Sequence, residues 1–257
     1  MAQDRLLNSF RFASQNLKAG TIVPADVSQA DTEAAWLAAG GWVISFGDEW
    51  DTLLDGALLS GMDEFALNAL VQAAYFAQDY YGEGHVDGYL LNGVLVGGTY
   101  YWPGYHVDSG DPTGIGAQIL SAGGCLLNAA NDSTLAGWAA AIAKLRTRGA
   151  NEREANARAI SLLFGFTDGG WPTAPGTGSP VGYVMKTTTT SDGTTYVAGD
   201  LFDPSVKDPT ALYAAGCAIT DFTYPEATTA FQQARANGAD SETMDAMMNA
   251  FMLWWFN

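Results

Sequence analysis

The segment His85-Val86-Asp87-Gly88-Tyr89-Leu90-Leu91-Asn92-Gly93-Val94-Leu95-Val96-Gly97-Gly98-Thr99-Tyr100-Tyr101-Trp102-Pro103-Gly104-Tyr105-His106-Val107-Asp108 decides how this chain is classified. Much of the sequence around it has helical spacing, and this stretch does not. Val86 to Leu91 and Val94 to Trp102 are rich in β-branched and aromatic residues. Asn92-Gly93 between them is the preferred two-residue hairpin turn, since both positions tolerate positive φ. Counting outward from that turn places Asp87 opposite Gly98 and His85 opposite Tyr100. Pro103-Gly104 closes the second strand.

Working outward, Leu6, Phe10, Ala13 and Leu17 have a near-helical spacing that predicts a helix from Arg5 to Lys18, stopped by Gly20. A second helix is expected from Ser28 to Ala39, with Ser28 and Asp31 spaced as a capping box. Trp42 to Phe46 reads as a short strand or a further helical turn. Asp51 to Leu59 and Asp63 to Tyr81 follow as helices, the latter strongly amphipathic through Phe65, Leu67, Leu70, Val71, Ala74 and Tyr75. After the hairpin, Gly114 to Ala130, Ser133 to Arg148 and Asn151 to Phe166 read as three helices, and Asn151 with Glu154 caps the last.

Residues 168–208 change character. A loop runs to Pro180, and Val181 to Thr190 then pairs with Thr194 to Gly199 across Ser191-Asp192-Gly193. The Thr-rich face of this second hairpin predicts that it projects from the body or packs on a neighbour. Pro209 and Pro225 sit where helices begin, and a final helix opens near Asp240-Ser241. No period of 20–50 residues repeats, which excludes solenoids and propellers. The expected architecture is α+β: a mainly helical single domain over 1–257 with two β-hairpin excursions, 168–208 forming an insertion or subdomain.

Composition narrows the function. A hydrophobic fraction of 48% with 12% aromatics excludes general disorder. The 28 acidic residues against 11 basic ones give a formal charge of −17. That field repels phosphate backbones and anionic lipid, so neither nucleic acid nor a membrane is an expected partner. Yet charged residues make up only 15% of the chain, which suits a surface partly covered by other protein subunits. No signal peptide and no transmembrane run is legible, so the expected location is the cytoplasm or an assembled particle. Cys125 and Cys217 form no CxxC motif and read as buried thiols, with a disulfide between them as the alternative.

The chemistry-bearing residues are few. His85-Val86-Asp87 and His106-Val107-Asp108 contain both histidines of the chain. His85, Asp87, His106 and Asp108 together are a candidate divalent-metal site, because two imidazoles with carboxylates suit such an ion. The structural alternative is histidines bonded to neighbouring aspartates at the ends of a hairpin. Glu83 and Asp87, at a helix-to-hairpin junction, are a candidate carboxylate pair for glycoside hydrolysis, with Tyr80, Tyr81, Tyr100, Tyr101 and Trp102 as a sugar platform. A solvated acidic turn is the alternative. Asp48-Glu49-Trp50-Asp51 is another candidate carboxylate pair, and reads more simply as charge at a helix N-terminus. No nucleophile elbow or phosphate loop is present.

Met244, Met247, Met248, Phe251, Trp254 and Trp255 form an apolar stripe at helical spacing. It must be covered either by the chain's own core or by a neighbour, which makes it a candidate interface. The reading these features favour is a non-enzymatic structural or recognition subunit of a larger assembly, such as a viral or phage virion component. Its partners are other protein subunits, in a homo-oligomer or multi-protein assembly, and it needs no cofactor. The alternative is a carbohydrate-active hydrolase using paired carboxylates, or a metal-dependent enzyme built on the two His-Val-Asp segments.

Overall fold

The computed structural model describes residues 3–24, 29–81, 88–108, 110, 113–127, 133–167 and 181–255. Its N-terminus is not the expected helix. Three short strands, β1 (Gln3–Leu6), β2 (Phe10–Phe12) and β3 (Gln15–Leu17), occupy that stretch, with β2 and β3 joined by a turn in which Ala13 and Ser14 take positive φ. The reason is long-range. Arg5, Leu6 and Leu7 are all fully buried, and a helix with one buried face does not bury three successive residues. The Arg5 guanidinium meets Asp51 Oδ1 at 2.7 Å, Asp55 Oδ1 at 2.8 Å and the Gly20 carbonyl at 2.9 Å. The two carboxylates share a helix face because they are four residues apart.

Helix α1 (Gln29–Ala38) leads to β4 (Val43–Phe46), which pairs antiparallel with β1. Helices α2 (Asp51–Leu59) and α3 (Glu64–Tyr81) follow as expected. Asp63 Oδ1 caps α3 by accepting the N–H groups of Phe65 and Ala66, both at 3.0 Å.

The first hairpin exists but turns elsewhere. β5 (Gly88–Leu90), β6 (Val94–Val96), β7 (Thr99–Tyr101) and β8 (His106–Val107) are short strands, and β6 pairs with β7 across Gly97-Gly98. Those two glycines have φ of 56° and 82°, the positive pair that a tight two-residue hairpin turn requires. Tyr100 therefore lies opposite Leu95, not His85. Asn92 has a different task. Its side chain accepts the Cys125 N–H at 2.9 Å and donates to the Gly123 carbonyl at 3.0 Å, mimicking a further rung of backbone pairing.

Cys125 and Gly123 lie between α4 (Ile115–Ser121) and β9 (Leu126–Leu127), which adds to β5 to give a three-stranded sheet in the order β8-β5-β9. Helix α4 thus ends well before the expected Ala130. The Gly124 N–H returns to the Ile119 carbonyl and the Gly123 N–H to that of Leu120, a double closure that glycine favours at helix ends. Helices α5 (Ser133–Thr147) and α6 (Glu152–Thr167) match their periodicity, and Asn151 Oδ1 caps α6 at the Glu154 N–H.

The second hairpin comprises β10 (Gly182–Tyr183), β11 (Thr188–Thr189), β12 (Thr195–Tyr196) and β13 (Leu201–Phe202), pairing β10 with β13 and β11 with β12. It does not project as a whole. Tyr183, Val184, Met185, Lys186, Thr187 and Thr188 are buried, and exposure is continuous only at the tip from Ser191 to Thr195, with Val181, Thr189 and Leu201 exposed singly. Its polar face is consumed internally, for example where the Ala198 N–H donates to Thr187 Oγ1.

Helices α7 (Thr210–Ala214), α8 (Pro225–Ala236) and α9 (Ser241–Trp255) complete the chain. Every residue of α9 from Met244 to Leu253 is buried, so this helix is enclosed on all sides rather than along one stripe. Its neighbours reach it through polar atoms as well as apolar ones. Gln72 Nε2 donates to the Ala246 carbonyl at 2.9 Å, Trp42 Nε1 to that of Met247 at 3.1 Å, and Asn249 Nδ2 to that of Ala157 at 2.7 Å. Asp245 takes the Thr187 N–H at 2.5 Å and Arg158 Nε at 3.2 Å. No described helix is long and apolar enough to cross a membrane.

Burial pushes the Asp245 carboxyl above its ordinary range, against the pull of Arg158 and the Thr187 N–H. The folded chain therefore holds that proton more tightly than the unfolded one. This group adds stability as pH falls through its folded pKa and subtracts it as pH rises. Asp245→Asn keeps an oxygen for Thr187 but cannot ionise. Urea unfolding at about pH 5 and about pH 8 is expected to show the stability difference moving in favour of Asp245→Asn at the higher pH, and movement the other way contradicts the assignment.

Candidate functional site

Glu83, His85 and Asp87 lie outside the described residues. The other two residues of the expected metal site, His106 and Asp108, are described. His106 is exposed on β8 with its ring edge-on to Tyr89, centroids 4.9 Å apart. Asp108 is exposed and accepts the Gly110 N–H at 2.8 Å. Gly88, which follows the first tripeptide, pairs with Val107 inside the second, so the sheet brings the two segments' neighbourhoods together by β5–β8 pairing rather than by the expected register. Among the described residues no group of three or more His, Cys, Asp or Glu side chains stands ready to hold a metal ion.

Cys125 and Cys217 are both buried free thiols, which excludes the disulfide alternative. Burial pushes the Cys125 thiol up to about 12, so it is no nucleophile at neutral pH. Asp51 opens α2 as its charge suggests, and its carboxylate answers Arg5. The C-terminal stripe is covered from within. Met244, Met247, Met248 and Phe251 belong to the chain's own core, Trp254 packs against it, and Trp255 stacks on Phe222 at 4.6 Å while remaining 39% exposed.

The structure gathers concave surface around the β6–β7 hairpin instead. One cleft, of about 360 Å³, opens between the start of α3, the Asn92–Leu95 segment, the end of α4 and the start of α6. Tyr100 forms one wall. Its hydroxyl accepts Asn156 Nδ2 at 2.9 Å, and Asn156 Oδ1 accepts the Gly93 N–H at 2.7 Å. Burial pushes the Tyr100 phenol up to about 12, so it keeps its proton and serves as a donor. Gly93 is needed here for close approach, because a Cβ on it would stand 2.0 Å from the Tyr100 hydroxyl. At the rim the Arg153 guanidinium lies 3.4 Å above the Phe65 ring, with Asp63 and Glu152 also in the lining.

A second cleft, of about 410 Å³, is lined by the chain from Thr99 to His106 and by Ala139, Ala143 and Arg146 of α5. It is the aromatic one. Tyr101 and Tyr105 meet edge to face at 5.0 Å, Tyr100 and Trp102 at 5.5 Å, and Arg146 lies 4.4 Å above Trp102. A third, shallower groove of about 430 Å³ runs between β6 and α4, lined by Leu95, Val96, Gly97, Ala117, Gln118, Ser121 and Ala122. None of these seven is charged.

These surfaces offer hydrogen-bond donors, ring faces and two stacked guanidinium groups, which is the chemistry of binding. The cations carry a signal in the sequence that the hydrophobic periodicity conceals. Neither lysine nor arginine occurs between Lys18 and Lys144, and five of the eleven basic residues then fall from Lys144 to Arg158. Comparison with family models, with curated proteins and with solved structures finds no match for this chain.

The Gly93–Tyr100 contact is testable by a double-mutant cycle. Gly93→Ala is expected to cost about 1–3 kcal/mol of stability by overpacking. Tyr100→Phe removes the oxygen the new methyl meets, so the double variant should lose less than the two single losses added together. Strict additivity in thermal or urea unfolding would show that the two residues do not touch.

Proposed function

We propose that this chain is a non-enzymatic structural or recognition subunit of a larger assembly, of the kind that builds a viral or phage particle, and that a second copy seats on the α4–β6 groove. The observation that supports this reading is the absence of charge along that groove in a chain of formal charge −17. Two strongly acidic copies repel one another over most of their surfaces. Contact is least opposed where no carboxylate must be desolvated, and interface centres are correspondingly poor in charge. Leu95, at the lip of the groove, is 65% exposed, an apolar anchor of the type that contact would cover. Among the described residues the β6–β7 pair is a two-stranded sheet whose outer edges have no further ladder partner, an arrangement that suits strand addition.

The enzymatic alternatives depend on Glu83, His85 and Asp87, which lie outside the described residues, and no described geometry favours them over assembly. Native mass spectrometry across a concentration series tests the proposal. The wild type is expected to form a defined oligomer, and Leu95→Asp to remain monomeric with an unchanged melting temperature, since its side chain sits in solvent in the single chain. A wild type that stays monomeric throughout overturns it.

A further inference from the structure

The cleft on α5 differs from the assembly groove in being aromatic and cationic. We infer that it binds a sugar carrying a carboxylate, such as a uronic or sialic acid residue. The inference is independent of self-assembly, because the two surfaces share no lining residue.

The chemistry of the cleft supplies each part of such a ligand with a counterpart. Ala139 and Ala143 make a low floor, and the rings of Tyr101, Trp102 and Tyr105 make the walls. Tyr105 is 40% exposed. Aromatic rings offer apolar faces to the C–H face of a pyranose, and the phenol and indole groups at their edges bond its hydroxyls. The carboxylate has one natural seat. Arg146 is exposed and has no carboxylate partner among the described residues, while its guanidinium carbon lies over the Trp102 ring, 4.4 Å from the centroid. The planar guanidinium fork presents parallel donors that match a carboxylate two to one.

Electrostatics narrows the class further. Exposed Lys144 and Arg148 also fall in and just past the last turn of α5, so this end of the helix gathers three cations in a chain of formal charge −17. A ligand with one negative charge meets only that end. A nucleic acid, with a phosphate at every nucleotide, must also run along acidic surface, and its affinity depends on neutralising several phosphates. The aromatic and cationic groups of the cleft therefore favour the sugar over the strand.

Saturation-transfer NMR on the full chain tests this with N-acetylneuraminate, D-glucuronate, D-glucose and single-stranded oligo(dT) as probes. At least one acidic sugar is expected to bind, with glucose weaker by about tenfold or more, the loss expected for a missing charge-assisted hydrogen-bond pair. Arg146→Gln should reduce the acidic sugars to the level of glucose, and Tyr105→Ala should weaken acidic and neutral sugars alike. Both side chains are exposed, so each variant should melt with the wild type. The inference is overturned if neither acidic sugar binds the wild type, if Arg146→Gln binds them unchanged, or if oligo(dT) binds more tightly than both. None of those outcomes alters the oligomeric state, so failure here is distinguishable from failure of the assembly proposal.

Discussion

The Asp245 carboxylate, enclosed in the middle of α9, receives the Thr187 N–H on one oxygen and the Arg158 guanidinium on the other. Through those bonds it ties the base of the second hairpin and helix α6 to the central helix. A carboxylate so buried is costly, and removing either partner from it is costlier than replacing the whole arrangement by apolar groups. Its effect is to fix rotation and register. Turning α9 by one residue would strand the charge among Met244, Met248 and Phe251, which are fully buried. On a helix buried all round, where one apolar face serves nearly as well as another, Asp245 shares this task with Asn249, one turn on, which donates to the Ala157 carbonyl. Arg158 is in turn shared with Glu154 on its own helix at 2.5 Å.

Arg5 plays the reciprocal part at the other end of the chain. There a buried cation is answered by two carboxylates of α2 and a carbonyl, and β1 is held against that helix. The acidic excess of the sequence thus has two components. Some carboxylates, Asp51, Asp55 and Asp245 among them, are spent on buried or half-buried cations. Others lie at the surface, where Asp192, Asp203 and Asp208 bond the hydroxyl and backbone groups of neighbouring turn residues that hold their pKa values low. The uncharged α4–β6 groove and the cationic end of α5 stand out against that background, and both border the same hairpin.

Much of this fold is legible in the sequence where local pattern and long-range packing agree. The spacing over 63–81 and 151–166 gives α3 and α6 almost to the residue, because a cap and an apolar face coincide there. Leu6, Phe10, Ala13 and Leu17 mislead because their spacing is near-helical, whereas the burial of Arg5 depends on Asp51 and Asp55, far along the chain. Asn92-Gly93 misleads for a related reason. A good turn dipeptide is diverted when its side chain finds Gly123 and Cys125 across the sheet, and Gly97-Gly98 takes over the turn. The early end of α4 was readable in Gly123-Gly124. The candidate site is less legible, since the contact of Arg146 with Trp102 joins two elements distant in sequence, although the clustering of five of the eleven cations in 144–158 marks the region.

The apolar C-terminal helix is the core of a single chain rather than a surface awaiting a partner, since its residues from Met244 to Leu253 are buried within that chain. Amide hydrogen exchange of the protein, followed over a dilution series that removes any oligomer, measures this directly. Amides from Met247 to Leu253 are predicted to remain among the slowest of the chain after dilution to the monomer, exchanging only through global unfolding. Exchange in that segment that accelerates on dilution, at the pace of the exposed hairpin tip, would contradict the account.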